Sequence, residues 1–152
     1  MAVLKPILLV EDSPKDVELT LAALEQCQLA NAVIVVRDGA EALDYMHSRG
    51  AFESREPGHP AVVLLDLKLP KVDGLEVLEQ IKKDASLRST PVVMLTSSRE
   101  ERDLVKSYSL GVNAFVVKPV GFEQFFEAIR DLGMFWAVLN EPPPRGQARS
   151  AA

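Results

Sequence analysis

Five side chains have types and spacings that could do chemistry together: Glu11 and Asp12, Asp66, Thr96 and Lys118. Each follows or closes a short apolar run, Ile7–Val10, Val62–Leu65, Val92–Leu95 and Ala114–Val117. Three carboxylates brought close together repel one another, and at least one should then hold its proton abnormally tightly. A hard divalent cation relieves that repulsion, and Mg²⁺ takes one or two carboxylates together with waters and phosphate oxygens. Such a site suits phosphoryl transfer: a carboxylate serves as nucleophile, while the metal and the fixed cation of Lys118 neutralise charge. The hydroxyl of Thr96 adds a donor for a phosphoryl oxygen. Taken singly, Asp66 reads as a loop carboxylate and Glu11-Asp12 as a solvated turn. An acid pair, an acid, a threonine and a lysine at four successive strand ends argue against coincidence.

The elements that must position these groups are legible from patterning. Val62 to Leu65, between Pro60 and Pro70, has the continuous apolar run of a strand covered on both faces, and Asp66 stands at its carboxyl end. Strands are also expected at 7–10, 32–36, 91–95 and 114–117. Ser13-Pro14-Lys15-Asp16 opens a first helix, with Ser13 as N-cap and Val17, Leu21 and Leu24 inward. Asp38-Gly39-Ala40-Glu41 opens a second, through about Met46, with Ala42, Leu43 and Met46 inward. Asp73-Gly74-Leu75-Glu76 caps a third that carries Leu75, Val77, Leu78 and Ile81. A fourth runs from Ser98 to Leu110, where Gly111 stops it, and a fifth from Phe122 to Leu139. The polar stretch His47–Pro60 is expected to be a long surface loop. His47 and His59 lack metal-ligand spacing and read as solvated.

Strands alternating with helices require a parallel sheet covered on both faces. The expected fold is α/β, a flavodoxin-like doubly wound five-stranded sheet in the order 2-1-3-4-5 with five helices. In that order the chain reverses between strands one and three, and ligands bind at the carboxyl ends beside the reversal. Glu11, Asp12 and Asp66 belong to those two strand ends, with Thr96 and Lys118 on the same rim. Residues 1–140 are expected to form one domain, and 141–152, rich in Pro, Arg and Ala, a flexible tail.

Composition narrows the class. The chain has 152 residues, 47% hydrophobic and 26% charged, a formal net charge of -5 and a pI near 5.1. That balance argues against a nucleic-acid surface, which needs clustered Lys and Arg. No apolar run approaches the roughly 20 residues of a membrane span, and the first residues lack a signal-peptide pattern. The single cysteine, Cys27, cannot form an internal disulfide, which fits a cytoplasmic protein.

The combination Leu9-Val10-Glu11-Asp12, Leu64-Leu65-Asp66-Leu67-Lys68-Leu69-Pro70 with Asp73-Gly74, Leu95-Thr96-Ser97 and Val116-Val117-Lys118-Pro119 resembles the receiver domain of two-component response regulators. The resemblance covers residues 6 to 139. It implies that Asp66 is the phosphoacceptor, taking a phosphoryl group from the phosphohistidine of a sensor histidine kinase. It implies Mg²⁺ held by Asp12, Asp66 and the main-chain carbonyl of Lys68, with Glu11 reached through water. Thr96 and Lys118 would bind phosphoryl oxygens, Thr96 and Phe115 would form a switch, and the Lys118-Pro119 bond would be cis. Phe115 lacks the hydroxyl of the commoner tyrosine, so that switch works by packing. The family dephosphorylates itself, so the chain is expected to be a stoichiometric phosphoacceptor, with Lys68 affecting the lifetime.

At helical period the last helix places Phe122, Phe125, Phe126, Ile129, Leu132, Trp136 and Leu139 on one face. Its other face turns apolar at Met134, Phe135 and Val138, which are the expected contacts of a homodimer through the fourth helix, fifth strand and last helix, the alternative being cover by the chain's own tail. The long loop after helix two, the Leu69-Pro70-Lys71 segment and the Gly133-Met134-Phe135-Trp136 helix end are similar to single-domain regulators that serve phytochrome-type kinases. The resemblance points to a sensor histidine kinase of bacteriophytochrome type, with a nitrogen or chemotaxis circuit as the alternative, and the output is expected to pass through a protein partner or a further phosphotransfer protein. Two rivals remain at this stage. A phosphatase of the haloacid dehalogenase type would also use Asp66 as nucleophile, but needs a second acid where Lys68 stands. A flavin- or nucleotide-binding module of the same fold would need glycine-rich phosphate loops that are missing.

Overall fold

The computed structural model describes residues 5–26, 31–56, 58–97, 110–112 and 114–118, together with residues 123 and 127. Within them the chain alternates strand and helix: β1 (Ile7–Val10), α1 (Pro14–Gln26), β2 (Val33–Val36), α2 (Gly39–Met46), β3 (Val62–Asp66), α3 (Gly74–Lys83), β4 (Val92–Thr96) and β5 (Ala114–Val117). All strand pairs are parallel, and the sheet order is β2-β1-β3-β4-β5. The expected doubly wound architecture is therefore present. The expected helices at 98–110 and 122–139 fall outside the described residues apart from Leu110, Glu123 and Glu127; the latter two are helical.

The apolar runs form strands because side chains project alternately to two covered faces. Leu8, Val10, Val63, Leu65, Val92 and Met94 pack with Ala42, Leu43, Val77, Leu78 and Ile81, beneath α2 and α3. Ile7, Leu9, Val62, Leu64, Val93 and Leu95 pack on the opposite face with Val17, Ala23 and Leu24 of α1. β1, β3 and β4 are buried throughout. β2 and β5 lie at the sheet edges, where three of their four residues are half-buried.

Helix starts follow the expected chemistry at two of three sites. The Asp16 amide donates to Ser13 Oγ at 3.3 Å, and the Glu41 amide to Asp38 Oδ1 at 2.8 Å. Glu41 in turn accepts from the Arg37 amide at 2.8 Å, which closes the box one residue earlier than expected. Asp73 stands at the N-cap of α3 but makes no side-chain cap bond. The first amide of α3, on Gly74, donates instead to the Leu67 carbonyl at 3.1 Å, so the helix start is fastened to the end of β3.

Other expectations need correction. β2 begins at Val33 rather than Ala32, and β4 runs from Val92 through Thr96, because Thr96 pairs in register with Val117. Leu21 and Leu75 are half-buried; Thr20 and Ala23 complete the inner face of α1. The 47–60 connection is more than a surface loop, since it contains a 3₁₀ turn at Gly50–Phe52. Phe52 meets Tyr45 edge-on at 5.2 Å, and the Arg55 guanidinium lies 4.2 Å above the Tyr45 ring. Arg55 also donates to the carbonyls of Tyr45, Glu56 and Gly58 at 2.7, 2.7 and 3.0 Å. His47 is exposed as expected, but His59 is half-buried and its Nδ1 is buried without a hydrogen-bond partner.

Candidate phosphoryl-transfer and metal site

Sheet topology brings the chemistry-bearing residues to one rim. β1 and β3 are hydrogen-bonded neighbours, in register from Ile7 opposite Val62 to Val10 opposite Leu65. The next residues, Glu11-Asp12 and Asp66, therefore emerge side by side. Carboxylate oxygens of Glu11, Asp12 and Asp66 all lie within 4.8 Å of one another. Asp12 is exposed, whereas Asp66 and Glu11 are buried.

Burial of Glu11 has an electrostatic consequence. It is fully enclosed, and its carboxyl is pushed up from 4.5 to about 7. Loss of water is the largest cause, followed by a hydrogen bond with Asp66 and the repulsion of its charge; Lys118 acts in the opposite direction. Its two oxygens are both used: Oε1 lies 3.2 Å from Lys118 Nζ, and Oε2 accepts from the Ser13 amide at 3.3 Å. Crowded hard oxygens, one already forced toward its neutral form, are the donor set that a divalent cation suits.

Lys118 enters from the far side. It directly follows β5, and its amide donates to the Thr96 carbonyl at 2.8 Å. The backbone thus ties the two expected phosphoryl-binding residues together. The ammonium, 15% exposed, lies 3.2 Å from Glu11, 2.8 Å from Asp16 and 3.3 Å from Asp66. Burial alone would lower its affinity for a proton, but the hydrogen bond it donates to Asp16 and the charges of Asp66 and Glu11 outweigh that and raise it. Lys118 therefore stays cationic. Thr96 is fully buried at the end of β4.

Asp16 is the site residue that the sequence reading missed. It was legible as the third residue of the Ser13 cap, and that role holds, yet the same carboxylate makes the shortest ion pair to Lys118. The available signal was its position one helical turn beyond Asp12, on the first turn of a helix that starts at the same rim. Phe115 is half-buried and packs against the cluster under α2 and α3. Lys68 is exposed in the loop after β3. Pro119, Met134, Phe135 and Val138 lie outside the described residues.

Glycine holds the loop after Asp66 in place at two points. A Cβ on Gly74 would collide with the carbonyls of Asp66 and Leu67, so only glycine lets α3 begin against the end of β3. A Cβ on Gly39 would strike the carbonyl of Val72, and the Gly39 amide donates to the Pro70 carbonyl at 3.3 Å. Lys71, between these contacts, has φ of 67°, and its ammonium lies 3.5 Å from Asp38.

Comparison with known proteins places this arrangement. The response regulator receiver domain family matches residues 7–130. The bacteriophytochrome response regulator RtBRR is 68% identical in sequence, with a TM-score of 0.87 and coverage of 96% of this chain and 88% of that one. The bacteriophytochrome response regulator AtBRR is 71% identical, also with a TM-score of 0.87, over 92% of this chain and 100% of its own. Response regulator Rcp1 of Synechocystis sp. is 39% identical over 87% of this chain and 88% of its own. The Mn²⁺-bound form of Rcp1 superposes with a TM-score of 0.71, 37% identity, and coverage of 92% and 99%. Among the described residues no helix is long and apolar enough to cross a membrane. The match takes in all five strands of the sheet that carries the acids, and the chain therefore belongs to the response regulator receiver domain family, related to the phytochrome response regulators.

Proposed function

We propose that this chain is a signalling phosphoacceptor in which Asp66 takes a phosphoryl group from the phosphohistidine of a sensor histidine kinase. The observation that carries the reading is the meeting of Glu11, Asp12 and Asp66 within 4.8 Å, with the Lys118 ammonium 3.3 Å from Asp66. A carboxylate oxygen of Asp66 attacks phosphorus and forms an O–P bond while the N–P bond to imidazole breaks. The bonding pair stays on the departing nitrogen; with the other ring nitrogen of the phosphohistidine already protonated, the donor is returned as neutral histidine.

Each residue has a distinct task. Asp12, Asp66 and the main-chain carbonyl of Lys68 would hold Mg²⁺, with Glu11 as an outer acidic partner. The bound cation supplies positive charge beside the phosphoryl oxygens during transfer. Lys118 supplies a second positive charge on the opposite side, and Thr96 a hydroxyl. Once Asp66 is phosphorylated, new acceptor oxygens draw on Thr96 and Lys118, and Phe115 repacks beside them. A water attacking phosphorus in the same site breaks the Asp66 O–P bond, releases inorganic phosphate and restores the free carboxylate, so the chain acts stoichiometrically. Receiver membership leaves no support for the phosphatase rival.

The donor we infer is a bacteriophytochrome-type histidine kinase. High identity to two bacteriophytochrome response regulators supports that choice. Output passes to a protein partner or a phosphotransfer protein, and the chain self-associates as a homodimer through Met134, Phe135 and Val138.

Acetyl phosphate with Mg²⁺ tests the acceptor. Intact mass should show one phosphoryl adduct per chain, absent from Asp66→Asn and absent after chelation. An adduct that survives Asp66→Asn would move the acceptor elsewhere. Transfer from a bacteriophytochrome kinase should differ between red and far-red illumination, and equal transfer in both would remove the photoreceptor link. Light scattering that reports only monomer at high micromolar concentration, phosphorylated or not, would remove the dimer.

A further inference from the structure

Lys118 has more acidic partners than phosphoryl chemistry requires. Glu11 and Asp66 belong to the acid cluster itself, but Asp16 does not: it sits on the first turn of α1, outside the group of carboxylates within 4.8 Å. Yet Asp16 Oδ2 makes the closest approach to the ammonium, 2.8 Å, against 3.2 Å for Glu11 and 3.3 Å for Asp66. The pair joins positions 102 residues apart and bridges the first helix to the end of the last strand.

The geometry of the donor defines what Asp16 does. An ammonium has three N–H groups. Two are taken by hydrogen bonds to Glu11 and Asp16, and Asp66 lies within ion-pair range of the same nitrogen. A lysine side chain is long and loses rotamer freedom when it is held. The main chain that carries the Asp16 carboxylate is fixed, because its amide is bonded to Ser13 Oγ within the first turn of the helix that Pro14 begins. It is only 28% exposed, so water screens the pair incompletely.

We propose that Asp16 is a positioning residue for phosphoryl transfer: it tethers Lys118 so that the remaining N–H is directed at Asp66 and the oxygens of an incoming phosphoryl group. Asp16 touches neither the phosphoryl group nor the metal. It acts through Lys118, as outer partners of metal ligands act through the ligand they orient. Its negative charge opposes the approach of an anionic donor, so tethering and repulsion predict opposite signs for its removal. Tethering is the stronger effect at a contact of 2.8 Å, because repulsion is partly cancelled by the lysine between them.

This inference rests on the phosphoacceptor reading, and the test separates the two. The initial rate of Asp66 phosphorylation by acetyl phosphate at saturating Mg²⁺ is measured for wild type, Asp16→Ala, Asp16→Asn, Lys118→Met and the double variant Asp16→Ala/Lys118→Met. Asp16→Ala should slow the rate about tenfold to a hundredfold, the loss usual for outer partners. Asp16→Asn, which keeps an acceptor oxygen, should recover part of that rate. In the Lys118→Met background Asp16→Ala should change nothing, since the tether has no cargo. Mg²⁺ affinity should stay close to that of wild type in both single Asp16 variants, because Asp16 lies outside the group of acids that would hold the cation.

A faster Asp16→Ala would mean that repulsion dominates and would overturn the tether. An unchanged rate, or an equal loss in the Lys118→Met background, would overturn it as well. Thermal melting of each variant separates a slow rate from an unfolded fraction. Failure of wild type to label, or labelling that persists in Asp66→Asn, would count against the phosphoacceptor reading itself.

Discussion

The three central strands and the edge strand β5 supply opposite halves of the site. β1, β3 and β4 are buried along their whole lengths and carry the acids and Thr96 at their ends. β5, an edge strand with half-buried residues, carries the cation. Anionic groups therefore stand on a close-packed base, where their positions are dictated by neighbours on both faces. The cation comes from a less enclosed strand and depends on side-chain partners, including one from another helix. The contrast suits a signalling site, in which the acceptor must be fixed while its counter-charge responds to what has been accepted.

Core truncation is the most forceful way to break this comparison. Leu64→Ala in β3 and Ile34→Ala in β2 remove the same number of carbons. Leu64 is fully buried, and its truncation should cost about 2–5 kcal/mol. Ile34 is half-buried, and its truncation should cost about 1 kcal/mol, typical of ordinary substitutions. Urea unfolding reads both, and equal costs would erase the distinction between centre and edge.

Gly74 sharpens the comparison on the acidic side. Gly74→Ala must displace the carbonyls of Asp66 and Leu67, and so moves the acceptor and the loop to Lys68. Mg²⁺ affinity measured by calorimetry should fall on the order of tenfold or more, the loss seen when metal ligands lose their supports. Gly58 is a matched control: its φ of 118° makes alanine strained, but a Cβ there meets nothing within 4 Å. Gly58→Ala should lower stability by about 1 kcal/mol and leave Mg²⁺ affinity unchanged.

The smallest effect is a pH dependence. Glu11 ionises near its ordinary 4.5 when the chain is unfolded and near 7 when it is folded without metal. A raised carboxyl favours the folded state below 4.5, and that contribution is lost as pH rises toward and through 7. In chelator the melting temperature should therefore fall across this window, and Glu11→Gln should flatten the fall. Saturating Mg²⁺ should reverse the trend, because the cation favours ionised carboxylates. A melting temperature that climbs with pH in chelator, in wild type but not Glu11→Gln, would contradict the burial argument.

Much of this was readable from the chain because strand-length apolar runs ended directly in chemistry. Val62 to Leu65 followed by Asp66 shows both the buried strand and the group at its end. Glu11-Asp12, Thr96 and Lys118 became one site once the alternation implied a reversal between β1 and β3. Asp16 stayed hidden because its cap role already explained it, and its second role needs α1 packed beside a strand more than a hundred residues later. The 47–60 segment was unreadable for a related reason: polar composition suggested loop, while its order comes from Arg55 lying on Tyr45 and closing carbonyls of the same loop. Asp73 misled in the other direction, since a good capping residue was left without a bond when Gly74 fastened to Leu67.

The meeting of Gly39 with Val72 sets a mechanical condition on any signal that leaves Asp66. Two stretches of main chain abut there with no side chain between them to flex or change rotamer. A shift of the segment after the acceptor cannot be absorbed at that joint, so α2 must travel with it or the hydrogen bond from Gly39 to Pro70 must break. On the proposed reading, a displacement that begins at Asp66 has a hard route to the second helix through this joint.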